Sequence, residues 1–287
     1  MPTPRDFIGR LRVRAATAEA RIGFPEAEES RTAEAIRILR SEGWVHPVEI
    51  GPGRGGLEGA ARRLAEGELD GVVAGAVHST AEVIRAGLRI VGVAEGVETV
   101  SAAFYMVFER PRERVLTLTD TAVVPAPTPE QMADSASAAC DARRAIVGDD
   151  PVVAFLSYST LGSAGGPAVD RVREALDLFR RRRPDIEADG ELQADAALVP
   201  GIAAAKAPGS RVAGRANLLV FPNLDAANIA YKLLERLAGA RAPGPILQGL
   251  RRPLNDLSRG ASVSDIVDVA CITALMSRGS KSRGSKA

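Results

Sequence analysis

The sequence is poor in the residues that build covalent or metal-held scaffolds. Its 287 residues include only two cysteines, Cys140 and Cys271, and no C-x-x-C pair. A disulfide framework and a structural zinc site are therefore both excluded as organising devices. Two histidines, His46 and His78, are too few for a His-rich metal centre. No run approaches the roughly 18 apolar residues of a membrane span, and the N-terminus has no signal-peptide pattern. The expected location is the cytoplasm, with no membrane partner. An excess of charge is missing too: 37 Lys and Arg stand against 36 Asp and Glu, a net charge of +1. A dedicated nucleic-acid binder would show a basic surplus. Any anion site must be local, built from a few side chains and backbone amides.

What is present is a globular composition, 46% hydrophobic and 25% charged, long enough for two modest domains. Segments rich in β-branched residues alternate with Ala/Arg/Glu/Leu segments of helical period. Helices are expected over Thr32–Ser41, Leu57–Gly67, Thr80–Ile90, Gln131–Ile146, Val169–Arg183, Ala226–Leu237 and Val263–Ser277. Strands are expected over Asp70–Val77, Thr99–Phe108, Val115–Leu118, Val152–Tyr158 and Leu218–Phe221. This alternation predicts an α/β layered fold with a largely parallel sheet. Ligands of such folds bind where strands end, beside helix N-termini. The tail, residues 277–287, is basic and of low complexity, and is expected to be unordered.

Three segments carry candidate chemistry. In PLNDLSRGASVSDIV, Ser262 to Asp265 form an S-x-x-D helix-capping pattern. Ser258 and Arg259 lie in the loop ahead of that helix, where free amides and a guanidinium suit a phosphate or a developing oxyanion. The plainer reading is that Asp265 only caps the helix and Arg259 only pairs with Asp256. In LSYSTLGSAGGP a strand enters a turn whose Ser157, Tyr158, Ser159 and Thr160 offer hydroxyls and amides, though neither GxGxxG nor a P-loop is present. In DGVVAGAVHSTAEVIR, Ser79 and Thr80 follow a strand and Arg85 lies in the next helix, able to reach a ligand at the strand end. His78 reads first as a satisfied structural histidine. The Arg180–Arg183 run suits a helix C-terminus. The acidic cluster DGELQAD has no histidine nearby, and caps or ion pairs explain it as well as a metal does.

Together DGVVAGAVHSTAEVIR, LSYSTLGS, DGELQADAALVP, KAPGSRVAGRANLLVFPNLDAANIAYKLLERL and GPILQGLRRPLNDLSRGASVSDIV resemble the phosphate acetyl/butyryltransferase family, in family order from about residue 70 to 275. The resemblance implies a two-domain, three-layer α/β/α fold of the isocitrate/isopropylmalate dehydrogenase kind. Residues 1–95 with 245–287 would form a discontinuous domain, residues 96–244 the other, with the active cleft between them and a homodimer as the usual assembly. The implied reaction is acetyl-CoA plus phosphate giving CoA plus acetyl phosphate, with coenzyme A as substrate and no tightly bound cofactor or metal. By matching positions, Asp265 would take the CoA thiol proton, Ser258 would orient the sulfur, and Arg259 and Arg85 would hold phosphate. Ser79, Thr80 and Ser157 to Thr160 would line the substrate site.

The chain also departs from the family. A stretch ahead of DGVVAGAV that carries an R-x-x-K-G element is missing, and Arg54 is the residue left to stand in for its Arg. Leu161 replaces the Lys of the S-T-K-G-S turn, and Ala261 replaces the Cys after S-R-G. Two alternatives therefore stay open: transfer of a longer acyl group such as propionyl or butyryl, and a regulatory module that binds CoA or acyl phosphate with weakened catalysis.

Overall fold

A computed structural model of the chain describes residues 6–109 and 113–284. In chain order the elements are α1 (Phe7–Ala16), β1 (Arg21–Phe24), α2 (Ser30–Glu42), β2 (His46–Glu49), α3 (Gly56–Glu66), β3 (Gly71–Ala74) and α4 (Thr80–Ala86). Then come β4 (Ser101–Phe108), β5 (Arg114–Thr119), α5 (Pro129–Ile146), β6 (Val152–Leu156), α6 (Pro167–Arg182) and β7 (Glu187–Leu192). The chain continues through α7 (Ala194–Leu198), α8 (Pro200–Lys206), β8 (Leu218–Val220) and α9 (Leu224–Ala238). It closes with β9 (Ile246–Gln248), β10 (Leu254–Asp256) and α10 (Val263–Gly284). Two compact units result: Met1–Val97 with Pro243–Ala287, and Glu98–Ala242.

In the first unit, β10-β3-β1-β2 form an all-parallel sheet. The chain steps from β1 to β2 on one side, then crosses back to β3 on the other. Right-handed crossovers in opposite directions place their helices on opposite faces. Accordingly α1, α2 and α10 pack together on one face, and α3 and α4 on the other. Gly71 on β3 is required by this packing, because a Cβ there would run into the Thr273 side chain of α10. The reversal of direction at β1 makes a topological switch point, where α/β sheets leave a crevice at the strand ends.

The second unit holds the parallel strands β7, β6, β8 and β5, with β4 antiparallel beside β5. Period-two alternation sorts its strands between two cores. Val153 and Phe155 of β6 face Met132, Val172 and Phe179 of α5 and α6. Ala154 and Leu156 face the opposite core with Phe104, Leu118 and Ala197.

The tail differs from expectation. Helix α10 runs on to Gly284, so residues 277–284, read as unordered, have helical backbone, while 285–287 lie outside the described residues. Once the buried turns of α10 from Ile266 to Leu275 are formed, each further residue adds a hydrogen bond at low cost.

Candidate functional site

The C-terminal ends of the first unit's four strands carry most of the residues singled out in the sequence. The loop after β10 bears Ser258 and Arg259, both exposed, and leads into α10. Ser262 and Asp265 cap that helix reciprocally. The Ser262 amide and hydroxyl donate to Asp265 Oδ2 at 2.9 and 2.8 Å, and the Asp265 amide donates back to Ser262 Oγ at 3.2 Å. Asp265 is half-buried, with Oδ2 engaged in the cap. Arg259 does not pair with Asp256. That carboxylate is fully buried and accepts instead from Thr80 Oγ1 at 2.6 Å. Among the described residues, the Arg259, Arg85 and Arg54 guanidiniums form no hydrogen bond or ion pair, and all three residues are exposed. Arg54 ends a 3₁₀ turn, Pro52–Arg54, in the loop after β2.

The turn after β3 is organised by a residue that the sequence reading missed. Glu26, in the turn after β1, is buried, and its carboxylate accepts four backbone amides. Gly75 and Ala76 donate to Oε2 at 3.0 and 2.8 Å, and Val77 and His78 to Oε1 at 3.0 and 2.7 Å. His78 Nδ1 adds a contact of 2.6 Å to Oε1, so the histidine is engaged inside the turn. Gly75 has φ +109, and a Cβ there would meet Asp256 Oδ1 and the Leu257 backbone, so glycine is demanded twice over. Ser79 then caps α4 in a reciprocal box with Glu82. The Ser79 hydroxyl is engaged within this cap and that of Thr80 by Asp256, while the Arg85 side chain is exposed.

Burial pushes the Asp256 carboxyl up to about 6, with the Thr80 hydroxyl and the Leu257 amide pulling against it and the Glu26 charge adding to it. Its Oδ1 is buried without a partner among the described residues. A carboxyl in that setting favours its protonated form.

The hydroxyl turn after β6 belongs to the second unit. Ser157 is half-buried and Tyr158 is exposed, its phenol donating to the Gly165 carbonyl at 3.0 Å. Ser159 and Thr160 are both buried and hold the turn together. Ser159 Oγ donates to Glu191 Oε1 at 2.7 Å and accepts from the Ala164 amide at 2.9 Å, while Thr160 Oγ1 accepts from the Gln193 amide at 3.0 Å. Glu191 also takes Arg173 Nε at 2.7 Å and the Gly162 amide at 2.9 Å. Burial alone would raise this carboxyl, but the bonds from Arg173, Gly162 and Ser159 outweigh it and hold it down at about 2. Leu161, exposed at the turn's tip, has φ +45, a conformation a non-glycine residue holds only when its surroundings impose it.

The acidic cluster 189–195 resolves into pairs: Asp189 with Arg180, Glu191 with Arg173, and Asp195 with Lys206. Among the described residues no group of three or more His, Cys, Asp or Glu is placed to hold a metal. The Arg180–Arg183 run is likewise paired rather than only solvated, with Asp189, Asp134 and Asp185 as partners. Both cysteines are buried, and burial pushes the Cys140 thiol up to about 12 and that of Cys271 upward as well.

The family model described as "Phosphate acetyl/butaryl transferase" matches residues 54–274. A phosphate acetyltransferase of Clostridium acetobutylicum is 46% identical over 253 residues, covering 87% of this chain and 74% of the relative. One from Paracoccus denitrificans is 39% identical over 315 residues, covering 94% of this chain and 99% of the relative. That alignment is longer than the chain itself, so the relative has residues with no counterpart here. The crystal structure of a phosphotransacetylase from Streptococcus pyogenes superposes with a TM-score of 0.90 at 34% identity, covering 95% and 98% of the two chains. By sequence and by fold, the chain belongs to the phosphate acetyl/butaryl transferase family.

Proposed function

We propose that this chain is a phosphate acetyltransferase that moves an acetyl group reversibly between coenzyme A and inorganic phosphate, as a cytoplasmic homodimer without a tightly bound cofactor. The observation that supports the assignment of residues is the parallel pairing of β10 with β3, which sets the loop of Ser258 and Arg259, leading to Asp265 at the start of α10, beside the turn that leads into α4, the helix that bears Arg85. A carboxylate at a helix N-terminus, an exposed guanidinium in the loop before it (Arg259) and another on α4 (Arg85) match what the chemistry needs.

A thiol with an ordinary pKa of about 8.5 is mostly protonated at neutral pH, so attack by CoA needs a base. Asp265 takes the proton from sulfur. Its engaged Oδ2 fixes the carboxyl while Oδ1 serves as the accepting atom. Ser258 donates to the sulfur anion and aims it. The thiolate adds to the carbonyl carbon of acetyl phosphate, and the carbon–oxygen bond to phosphate then breaks as the carbonyl reforms. Phosphate leaves with the bonding electron pair and takes up the proton held by Asp265, so charge and atoms balance. Arg259 and Arg85 stabilise the phosphoryl oxygens as charge builds on them. Arg54 contributes a further positive charge from the loop after β2.

The test is a panel of acetyl, propionyl and butyryl phosphate with CoA, followed by thioester absorbance. Fastest turnover with acetyl phosphate is expected. Preference for butyryl phosphate would reassign the acyl group, and binding of CoA without turnover of any member would replace the enzyme by a binding module.

A further inference from the structure

Arg31, the first-turn arginine of α2, has no assigned part in the chemistry, yet it holds the loop that carries the proposed reacting groups. Its Nη1 donates to the carbonyls of Arg259 at 2.9 Å and Ala261 at 2.8 Å. Its Nη2 donates to the Ala76 carbonyl at 3.2 Å, in the turn after β3. Its Nε donates to Glu29 Oε1 at 2.8 Å, and Glu29 in turn caps α2 through the Thr32 amide and hydroxyl. One planar guanidinium thus joins three loops of the first unit, those after β1, β3 and β10.

Its acceptors matter as much as their number. The carbonyls of residues 259 and 261 flank Gly260, so two alternate peptide groups of the loop turn inward to one nitrogen. Among the described residues the loop has few other hydrogen bonds. Its internal bonds are Ala261 N–H to the Ser258 carbonyl at 2.8 Å and a long Gly260 N–H to Ser258 Oγ at 3.4 Å. Residues 258–260 are all exposed. The turn after β3 is already fixed by Glu26, five residues before Arg31, so Arg31 ties a loose loop to a rigid one. Lysine cannot do this, because a single ammonium lacks the fork that reaches acceptors on both loops in one plane.

We propose that Arg31 is a positioning residue for acyl transfer: it sets the loop 258–261, and through it the Arg259 side chain, against the turn after β3. This inference rests on the acyl-transfer reading given above. A displacement of about 1 Å at reacting groups costs on the order of 100-fold in rate. Arg31→Ala and Arg31→Lys are therefore both expected to lower kcat by about 100-fold, with CoA affinity and stoichiometry by calorimetry changed only a few-fold.

The discriminating measurement is a double-mutant cycle. If Arg31 acts through Arg259, Arg31→Ala in an Arg259→Ala background lowers kcat less than about 3-fold, because the interaction it serves is already gone. A merely structural role would multiply the two losses in full, and that result overturns the proposal. So does wild-type kcat in Arg31→Lys. Hydrogen exchange of the wild-type chain and of Arg31→Ala supplies a readout that needs no activity. Faster exchange confined to residues 257–262 is expected, and unchanged exchange there overturns the clamp. Absence of turnover in the wild-type chain itself would instead sink the acyl-transfer reading, leaving the exchange result to decide whether Arg31 holds the loop.

Discussion

At the scale of single residues, two neighbouring aspartates are proposed to do distinct work. Asp265 is half-buried at a helix start, whereas Asp256, at the end of β10 ahead of the same loop, is fully buried. Asp265→Asn keeps an acceptor for the cap but removes the base, so thioester formation is expected to fall about a thousandfold with the fold intact by circular dichroism. Arg259→Ala is expected to cost about a hundredfold. Near-wild-type rates in either would displace these assignments. Asp256 makes a different prediction, about stability. Its folded-state value of about 6 lies above the ordinary 3.8, so the folded chain binds the proton more tightly than the unfolded one. The resulting stability is full below about pH 4 and is lost as pH rises through about 6. Asp256→Asn cannot ionise, so its thermal midpoint relative to wild type should rise across that window. Parallel curves from pH 4 to 7 would contradict the assignment.

At the scale of elements, the hydroxyl turn after β6 is held from outside its own sequence. Glu191 on β7 gathers Ser159, Gly162 and Arg173. Its carboxyl is held at about 2 against an ordinary 4.5, so its contribution is present above that ordinary value and lost as pH falls toward 2. Glu191→Gln should cost about 2 kcal/mol at neutral pH, a drop in thermal midpoint on the order of 5 °C. It should also flatten the acid limb of the stability profile. An unchanged midpoint would mean the turn is held elsewhere.

The same scale shows what was legible in the sequence. β3 and β6 announce themselves as apolar runs, and the S-x-x-D cap before α10 is a local signal that the structure realises. β1 (Arg21–Phe24) and β10 (Leu254–Asp256) do not, being short, with Gly23 in one and two polar residues in the other. Neither Glu26 nor Arg31 stands out in the sequence, because the backbone groups they bind lie 49 to 52 and 45 to 230 residues away. Those partners are brought together by parallel strand order, which no local pattern encodes. The one local hint was a carboxylate-rich turn, FPEAEESR, between a strand and a helix.

At the scale of the whole molecule, the near balance of charge takes on a second meaning. Coenzyme A and phosphate are strongly anionic, and a chain of net charge +1 has no general field to draw them in. In the proposed function, affinity comes from placed groups, with Arg54, Arg85 and Arg259 proposed for that part. The proposed homodimer has its own surface argument. Helix α9 turns Tyr231 inward to stack on Phe104 at 4.0 Å between ring centroids, yet leaves Ile229, Leu233 and Leu237 at 59%, 52% and 82% exposure. These three fall at i, i+4 and i+8, one apolar stripe of the kind that subunit contacts cover. Light scattering after size exclusion should give twice the chain mass for wild type and the chain mass for Leu233→Glu. A wild-type monomer, or a Leu233→Glu dimer, would remove α9 from the interface.

The most direct test of the central claim compares wild type with Asp265→Asn, each supplied with acetyl phosphate and CoA at saturation, by the initial rate of thioester formation. Rapid acetyl-CoA formation by wild type and a loss of about a thousandfold in the variant are expected. No acetyl-CoA from the wild-type chain, or equal rates from both, would contradict it.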